Sequence, residues 1–147
     1  MGPGYNSSMN IYISHAPKDR KLALDLAKRL IQEGYAVSYP YDDFEVEPGE
    51  NWAMKVAKAL DQAEMMIVLL TPRARETENV RRDLSYAFFN ERFEGRFLTV
   101  LATPKGKGPI KAPGILDRLP KVKLGIRKSW EPVVTRIEEL ANLVPAG

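Results

Sequence analysis

Six consecutive apolar residues, Met65, Met66, Ile67, Val68, Leu69 and Leu70, stand between Glu64 and the pair Thr71-Pro72. The run is shorter than an ordinary buried helix and lacks the alternation of a half-exposed strand, so it predicts a strand covered on both faces. Such strands belong to parallel sheets flanked by helices, and Pro72, which biases Thr71 toward extended backbone, closes this one. A second short run, Ile11-Tyr12-Ile13, ends abruptly in the polar loop Ser14 to Asp19 and then launches a helix, with Pro17 suited to its first turn. It reads as a central strand whose carboxyl end faces a site.

The rest of the chain repeats this alternation. Leu22, Leu26 and Leu30, backed by Ala23 and Ala27, recur at helical spacing through Glu33, and Gly34 supplies the stop. Tyr35 to Tyr39 is the next strand, limited by Pro40. Pro48-Gly49 is a turn pair, and Asn51 can cap a helix striped by Trp52, Val56, Ala59, Leu60 and Ala63. Beyond the apolar strand, a helix starting near Thr77 carries Val80, Leu84, Ala87 and Phe88 and continues to about Arg92. Phe97 to Leu101 is another apolar strand, and Thr103 to Pro113, rich in Pro, Gly and Lys, is a surface loop. Lys121 to Leu124 reads as an edge strand whose lysines discourage pairing with another chain. Ser129 can cap a last helix striped by Val133, Ile137, Leu140 and Val144. Strand and helix alternate five times, which implies an α/β fold: a parallel sheet with helices on both faces. With 147 residues, 44% hydrophobic and 28% charged, the chain suits one core. Residues 9–147 are therefore expected to form a single domain behind a loose leader or cloning remnant, residues 1–8.

Composition narrows the partners. The absence of cysteine excludes disulfides and thiolate metal sites and makes a cytoplasmic protein the natural reading. No window approaches the roughly 18 apolar residues of a spanning helix, so no membrane partner is expected. A net charge of +3 is a weak nucleic-acid signal, and no direct nucleic-acid binding is expected. The charge is nonetheless uneven. Tyr41 to Glu50 holds the acids Asp42, Asp43, Glu45, Glu47 and Glu50 and no base, whereas Pro104 to Lys128 holds eight bases (Lys105, Lys107, Lys111, Arg118, Lys121, Lys123, Arg127, Lys128) against Asp117. Two solvated loops account for this, as do opposite faces that attract copies of the chain, or a basic patch for an anionic partner.

In a sheet of order 2-1-3-4-5, the crevice beyond the strand ends lies between the first and third strands. Its walls would be Ser14 to Asp19, the acidic loop, Thr71 to Arg75 and the early turns of the following helix. Ser14-His15-Ala16-Pro17 has no glycine to bring backbone N–H groups to a phosphate, which argues against a standard nucleotide or flavin loop. A phospho-acceptor receiver needs an aspartate where the third strand gives way to Thr71. One histidine and scattered carboxylates offer no metal-ligand spacing, so no metal is expected. His15 could serve as a base near neutral pH, although a lone loop histidine is more often structural or simply exposed. Asp83 remains, between Val80 and Ala87 on its three- and four-residue neighbours and hence bordering the apolar face. A carboxylate there could stabilise a sugar oxocarbenium ion or bind ribose hydroxyls; equally, it could be a surface aspartate paired with Arg81 or Arg82.

Taken in order, these pieces resemble a Toll/interleukin-1 receptor (TIR) domain of bacterial type. Ile11-Tyr12-Ile13-Ser14-His15 with Asp19 behind it resembles the first box of that family, and Gly34 to Val37 followed by Tyr41 to Trp52 resembles its second strand and BB loop. Ile67 to Pro72 and Asn79-Val80-Arg81-Arg82-Asp83-Leu84 resemble its third strand and the motif on the next helix, and Ser129-Trp130 with the terminal helix also fits. The resemblance implies a flavodoxin-like three-layer sandwich of order 2-1-3-4-5, association between TIR domains and, in many members, cleavage of the nicotinamide–ribose bond of NAD+, in prokaryotic immune (anti-phage) signalling among other settings. It implies a catalytic carboxylate at Asp83 and substrate contacts from Ser14, His15, Ala16, Pro17, Asp43, Phe44, Trp52, Thr71 and Asn79. The BB-loop interface would be Glu45, Val46, Glu47, Pro48 and Gly49. NAD+ is then a substrate, no cofactor is implied, and the partners are NAD+ and other TIR domains. The family's active members carry glutamate and tryptophan where this chain has Asp83 and Asn79. A non-catalytic adaptor whose acidic loop docks on a basic surface is therefore the alternative implied. Trp52 fits both a core anchor and a site wall.

Overall fold

A computed structural model describes residues 9–38, 52–71, 78–102, 119–124 and 129–142. Its strands are β1 (Asn10–Ser14), β2 (Ala36–Ser38), β3 (Met65–Leu70), β4 (Phe97–Ala102) and β5 (Lys121–Leu124). All adjacent pairs are parallel, and the order is β2-β1-β3-β4-β5. The helices are α1 (Arg20–Gln32), α2 (Trp52–Gln62), α3 (Glu78–Phe88) and α4 (Glu131–Ala141), with 3-10 turns at Pro17–Asp19 and Glu91–Phe93. The expected doubly covered sheet is thus present, and both β3 and β4 are buried along their full length.

The two-residue period of the strands sorts the core into two layers. Ile11, Ile13, Met65, Ile67, Leu69, Leu98 and Val100 face α1 and α4. Tyr12, Met66, Val68, Leu70, Phe97 and Leu101 face α2 and α3. In α1, Ala23, Leu26, Ala27 and Leu30 are the buried stripe, while Leu22 lies at its margin. Gly34 ends that helix at φ +101°, and the Tyr35 amide returns to the Leu30 carbonyl at 3.1 Å. On the surface, Arg29 joins α1 to α4 by a hydrogen bond to Glu131 and also bonds Glu33 at the end of its own helix, in that order the causes that raise its pKa above the usual arginine value.

Several boundaries differ from the periodicity. α3 stops at Phe88 rather than near Arg92, because Phe89 and Asn90 turn the chain into the Glu91–Phe93 3-10 turn. Phe88 accordingly falls off the apolar stripe: it is 39% exposed, and its ring rests against Phe97 at the layer margin. β2 is shorter than expected, with Tyr35 outside it. Trp130 rather than Ser129 occupies the N-cap of α4, although the Ser129 hydroxyl still accepts the Glu131 amide at 3.3 Å. The expectations for Tyr39 to Asn51, Pro72 to Thr77, Thr103 to Pro113 and Val144 lie outside the described residues.

Two stability predictions follow from this layering. Ile67→Ala should lower the unfolding free energy by about 2–5 kcal/mol, against about 0.5 kcal/mol or less for Ile31→Ala, as read from urea midpoints. Ile31 is the control because it is 53% exposed, whereas Ile67 is sealed. The Tyr35 phenol is pushed above its ordinary value by burial first, then by Glu138 and Glu33. The folded state therefore holds this proton longer than the unfolded chain, and the associated stability, intact below about pH 10, is lost as pH rises toward the folded value. Comparing the native chain with Tyr35→Phe between pH 8 and 11 should show the native chain losing the extra increment.

Candidate functional site

The carboxyl ends of β1 and β3 lie side by side, with Ser14 in register with Val68. From there the chain diverges. After β1 it runs to α1 on one face of the sheet; α3, which follows β3, lies on the other. This is the switch point at which open α/β sheets bind ligands.

Tyr12 and Ser14 are two residues apart on β1, so both side chains point to the α3 face. Asp83, in the second turn of α3, meets them there. The Ser14 hydroxyl donates to Asp83 Oδ2 at 2.7 Å, and the Tyr12 phenol donates to the same oxygen at 3.2 Å. Arg82 Nη2 lies 3.7 Å from Oδ1. Asp83 has no solvent exposure, which rejects the surface-aspartate alternative while keeping Arg82 as a neighbour. Taking a carboxylate out of water costs several kcal/mol, and each hydrogen bond to a charged group returns about 1.5–3 kcal/mol. An apolar side chain would pack the same position without that demand, so a buried carboxylate at a switch point marks a candidate for chemistry.

Around Asp83 the loop after β1 is closely folded. The Asp19 amide donates to the Ala16 carbonyl at 2.8 Å, closing the Pro17–Asp19 turn. His15 is buried, and its Nδ1 lies 3.2 Å from the Ile13 carbonyl; since a carbonyl only accepts, Nδ1 carries the hydrogen of this contact. The Thr71 hydroxyl donates to Asp19 Oδ2, so its proton is already committed to the protein. Ala16 is buried within the α2/α3 layer, and Pro17 is exposed at the loop surface.

The structure thus brings together Ser14, His15, Ala16, Pro17, Thr71 and Asp83 at one end of the sheet. Trp52 opens α2 and Asn79 lies in the first turn of α3. Asp43, Phe44 and the interface set Glu45, Val46, Glu47, Pro48 and Gly49 lie outside the described residues. Among the described residues, no group of three or more His, Asp or Glu side chains could hold a metal ion, and no helix is long and apolar enough to cross a membrane. One member, Tyr12, was missed in the sequence reading. Tyr12 passed as a strand aromatic, although its i, i+2 relation to Ser14 was the available signal. Asp19, expected in the crevice wall, occupies the N-cap of α1 without a capping bond and turns its carboxylate to Thr71.

Ser14→Ala should destabilise the fold by about 1–3 kcal/mol, because it withdraws a donor from a buried charge, whereas Ser85→Ala on the exposed side of α3 should fall within about 0.5 kcal/mol. In a double-mutant cycle, Ser14→Ala and Asp83→Ala should couple by about 0.5–3 kcal/mol in denaturant titrations.

No curated protein sequence matches this chain. The TIR domain of the Toll-related receptor TRR-2 from Hydra magnipapillata superposes with a TM-score of 0.67 at 18% identity, over 90% of this chain and 98% of that one. A metazoan TIR-STING receptor from C. gigas, solved with 2',3'-cGAMP, gives 0.68 at 20% identity over 93% of this chain, which spans 41% of the receptor. The TIR domains of the activated Roq1 resistosome, which recognises the pathogen effector XopQ, give 0.54 at 20% identity over 64% of this chain and 57% of that one. At such identities these likenesses establish the fold. The TIR domain family model matches residues 11–137, and the chain belongs to that family.

Proposed function

We propose that this TIR domain is an NAD+ nucleosidase of bacterial type that cleaves the nicotinamide–ribose bond, acts in the cytoplasm in prokaryotic anti-phage signalling, and is activated by self-assembly. The observation that carries this reading is the buried Asp83 carboxylate, held by the Ser14 and Tyr12 hydroxyls at the β1/β3 switch point. In the reaction, the C1′–N1 bond breaks with its electron pair leaving on nicotinamide, which departs neutral. The ribosyl cation left behind is the charge that a pre-placed carboxylate stabilises, and it needs no reorganisation at the moment it forms. Water adds to C1′ and releases one proton to give ADP-ribose, or an atom of the same molecule adds to give a cyclic product. His15, Ala16, Pro17, Asp43, Phe44, Trp52 and Asn79 would line the substrate, and Glu45 to Gly49 would meet a neighbouring TIR domain.

The adaptor reading has its own support. Asp83 has no exposed surface, and its arm is one methylene, about 1.5 Å, shorter than the family's glutamate. Misplacement on that scale can cost about a hundredfold in rate. Nicotinamide release from NAD+, followed over a range of high protein concentrations, separates the two. The nucleosidase should release nicotinamide with a rate per chain that rises with concentration, and Asp83→Asn should lower it by about 10²–10³-fold while the chain stays folded by circular dichroism. Absence of release from the assembled native chain, with gain of release in Asp83→Glu combined with Asn79→Trp, would establish the adaptor instead.

A further inference from the structure

The backbone pairing of β1 with β3 ends at Ser14 and Val68, while β3 continues through Leu69 and Leu70 to Thr71. Beyond that point the two chains separate toward opposite faces of the sheet. Two side-chain bridges cross the gap, and they cross in opposite senses. Asp83, on the helix that follows β3, is bound by Tyr12 and Ser14 of β1. Asp19, in the turn that follows β1, is bound by Thr71 at the end of β3. Each strand's outgoing segment is thereby strapped to the neighbouring strand. Asp19 and Thr71 are both nearly sealed from solvent, so water competes little for this hydrogen bond.

We infer that Asp19 and Thr71 form a positioning pair for the proposed reaction: their bond fixes the loop after β1 against the end of β3, and that loop fixes the Ser14 hydroxyl that aims Asp83. The inference rests on the nucleosidase reading for its catalytic consequence, and on the two bridges for its structural one. The loop is short, and its Pro17–Asp19 turn is closed by the Asp19 amide on the Ala16 carbonyl, so a displacement at Asp19 is transmitted along five residues to Ser14. Asp19 and Thr71 reach the reacting bond through Ser14 and Asp83 rather than touching it themselves.

Thr71→Val removes the hydroxyl at nearly constant shape, Thr71→Ser retains it, and Asp19→Asn keeps an uncharged acceptor. Nicotinamide release should fall by about tenfold or more in kcat for Thr71→Val with KM within about twofold, return close to native in Thr71→Ser, and lie between them in Asp19→Asn. The carboxyl carbon of Asp83, followed by NMR through a pH titration of the full chain, should change its titration in Thr71→Val and recover it in Thr71→Ser. A purely structural bond would lower the melting temperature of Thr71→Val and leave the Asp83 titration and the kinetics of the folded fraction unchanged; that outcome overturns the inference. Should Thr71→Val fail to fold, Asp19→Asn against Thr71→Ser makes the same comparison. If the native chain releases no nicotinamide, the nucleosidase reading fails separately, and the Asp83 titration still decides whether the pair positions that carboxylate.

Discussion

A carboxylate in an apolar layer must find hydrogen-bond donors or give up its charge, and the position of Asp83 makes this demand the organising constraint of the molecule. Its donors come from the strand next to the one that precedes its own helix. Tyr12 and Ser14 can serve only because β1 pairs in parallel with β3 and presents alternate residues to the α3 face. A one-residue slip of β1 would turn both hydroxyls to the opposite layer and bring Ile11 and Ile13 against the charge. The polar contact therefore penalises the same register error that the apolar alternation penalises, and the two constraints reinforce one another.

The two layers of the core divide accordingly. The α1/α4 layer is lined by aliphatic residues from β1, β3 and β4, a surface that depends on packing alone. The α2/α3 layer contains Tyr12, Ser14 and Asp83, and by strand alternation Thr99, whose buried hydroxyl has no hydrogen-bond partner among the described residues. Polar groups inside a core cost stability unless they are satisfied, and on the α1 side the buried pair Asp19 and Thr71 satisfies this by bonding to one another at the end of the sheet, beyond the aliphatic layer. The short edge strands complete this economy: β2 has three residues and β5 carries two lysines, which limits pairing of the sheet with another chain.

Strand positions and layering were legible in the sequence because they depend on periodicity, which is local; the order β2-β1-β3-β4-β5 was available only through the family resemblance. Met65 to Leu70 could hardly be anything but a covered strand, and Gly34 ends α1 where its backbone freedom is needed. What periodicity could not resolve was the fate of individual polar side chains. Asp83 borders the apolar face on a helical wheel whether it is exposed or buried, and only the height of α3 over β1 decides between them. For Asp19 the place in the crevice wall was readable but its partner was not, because the hydroxyl it accepts from, Thr71, is 52 residues away in the chain. Phe88, the last residue of α3, was misplaced because the apolar period does not hold into the helix's final turn.

The length of the Asp83 side chain has a specific meaning in this geometry. A hydrogen bond to a carboxylate tolerates a few tenths of an ångström, whereas one methylene moves the carboxylate by about 1.5 Å. The 2.7 Å contact with Ser14 is thus matched to the shorter arm, and a glutamate at position 83 could keep it only by shifting α3 or adopting a folded-back side chain. The Asp83 carboxylate accordingly sits against the end of β1. For the proposed enzyme, a carboxylate at this position requires either that the substrate ribose reach down to the end of β1, or that α3 lift. The straps between the outgoing segments of β1 and β3 bear on both routes, because they hold in place the hydroxyls that either movement must pass or break.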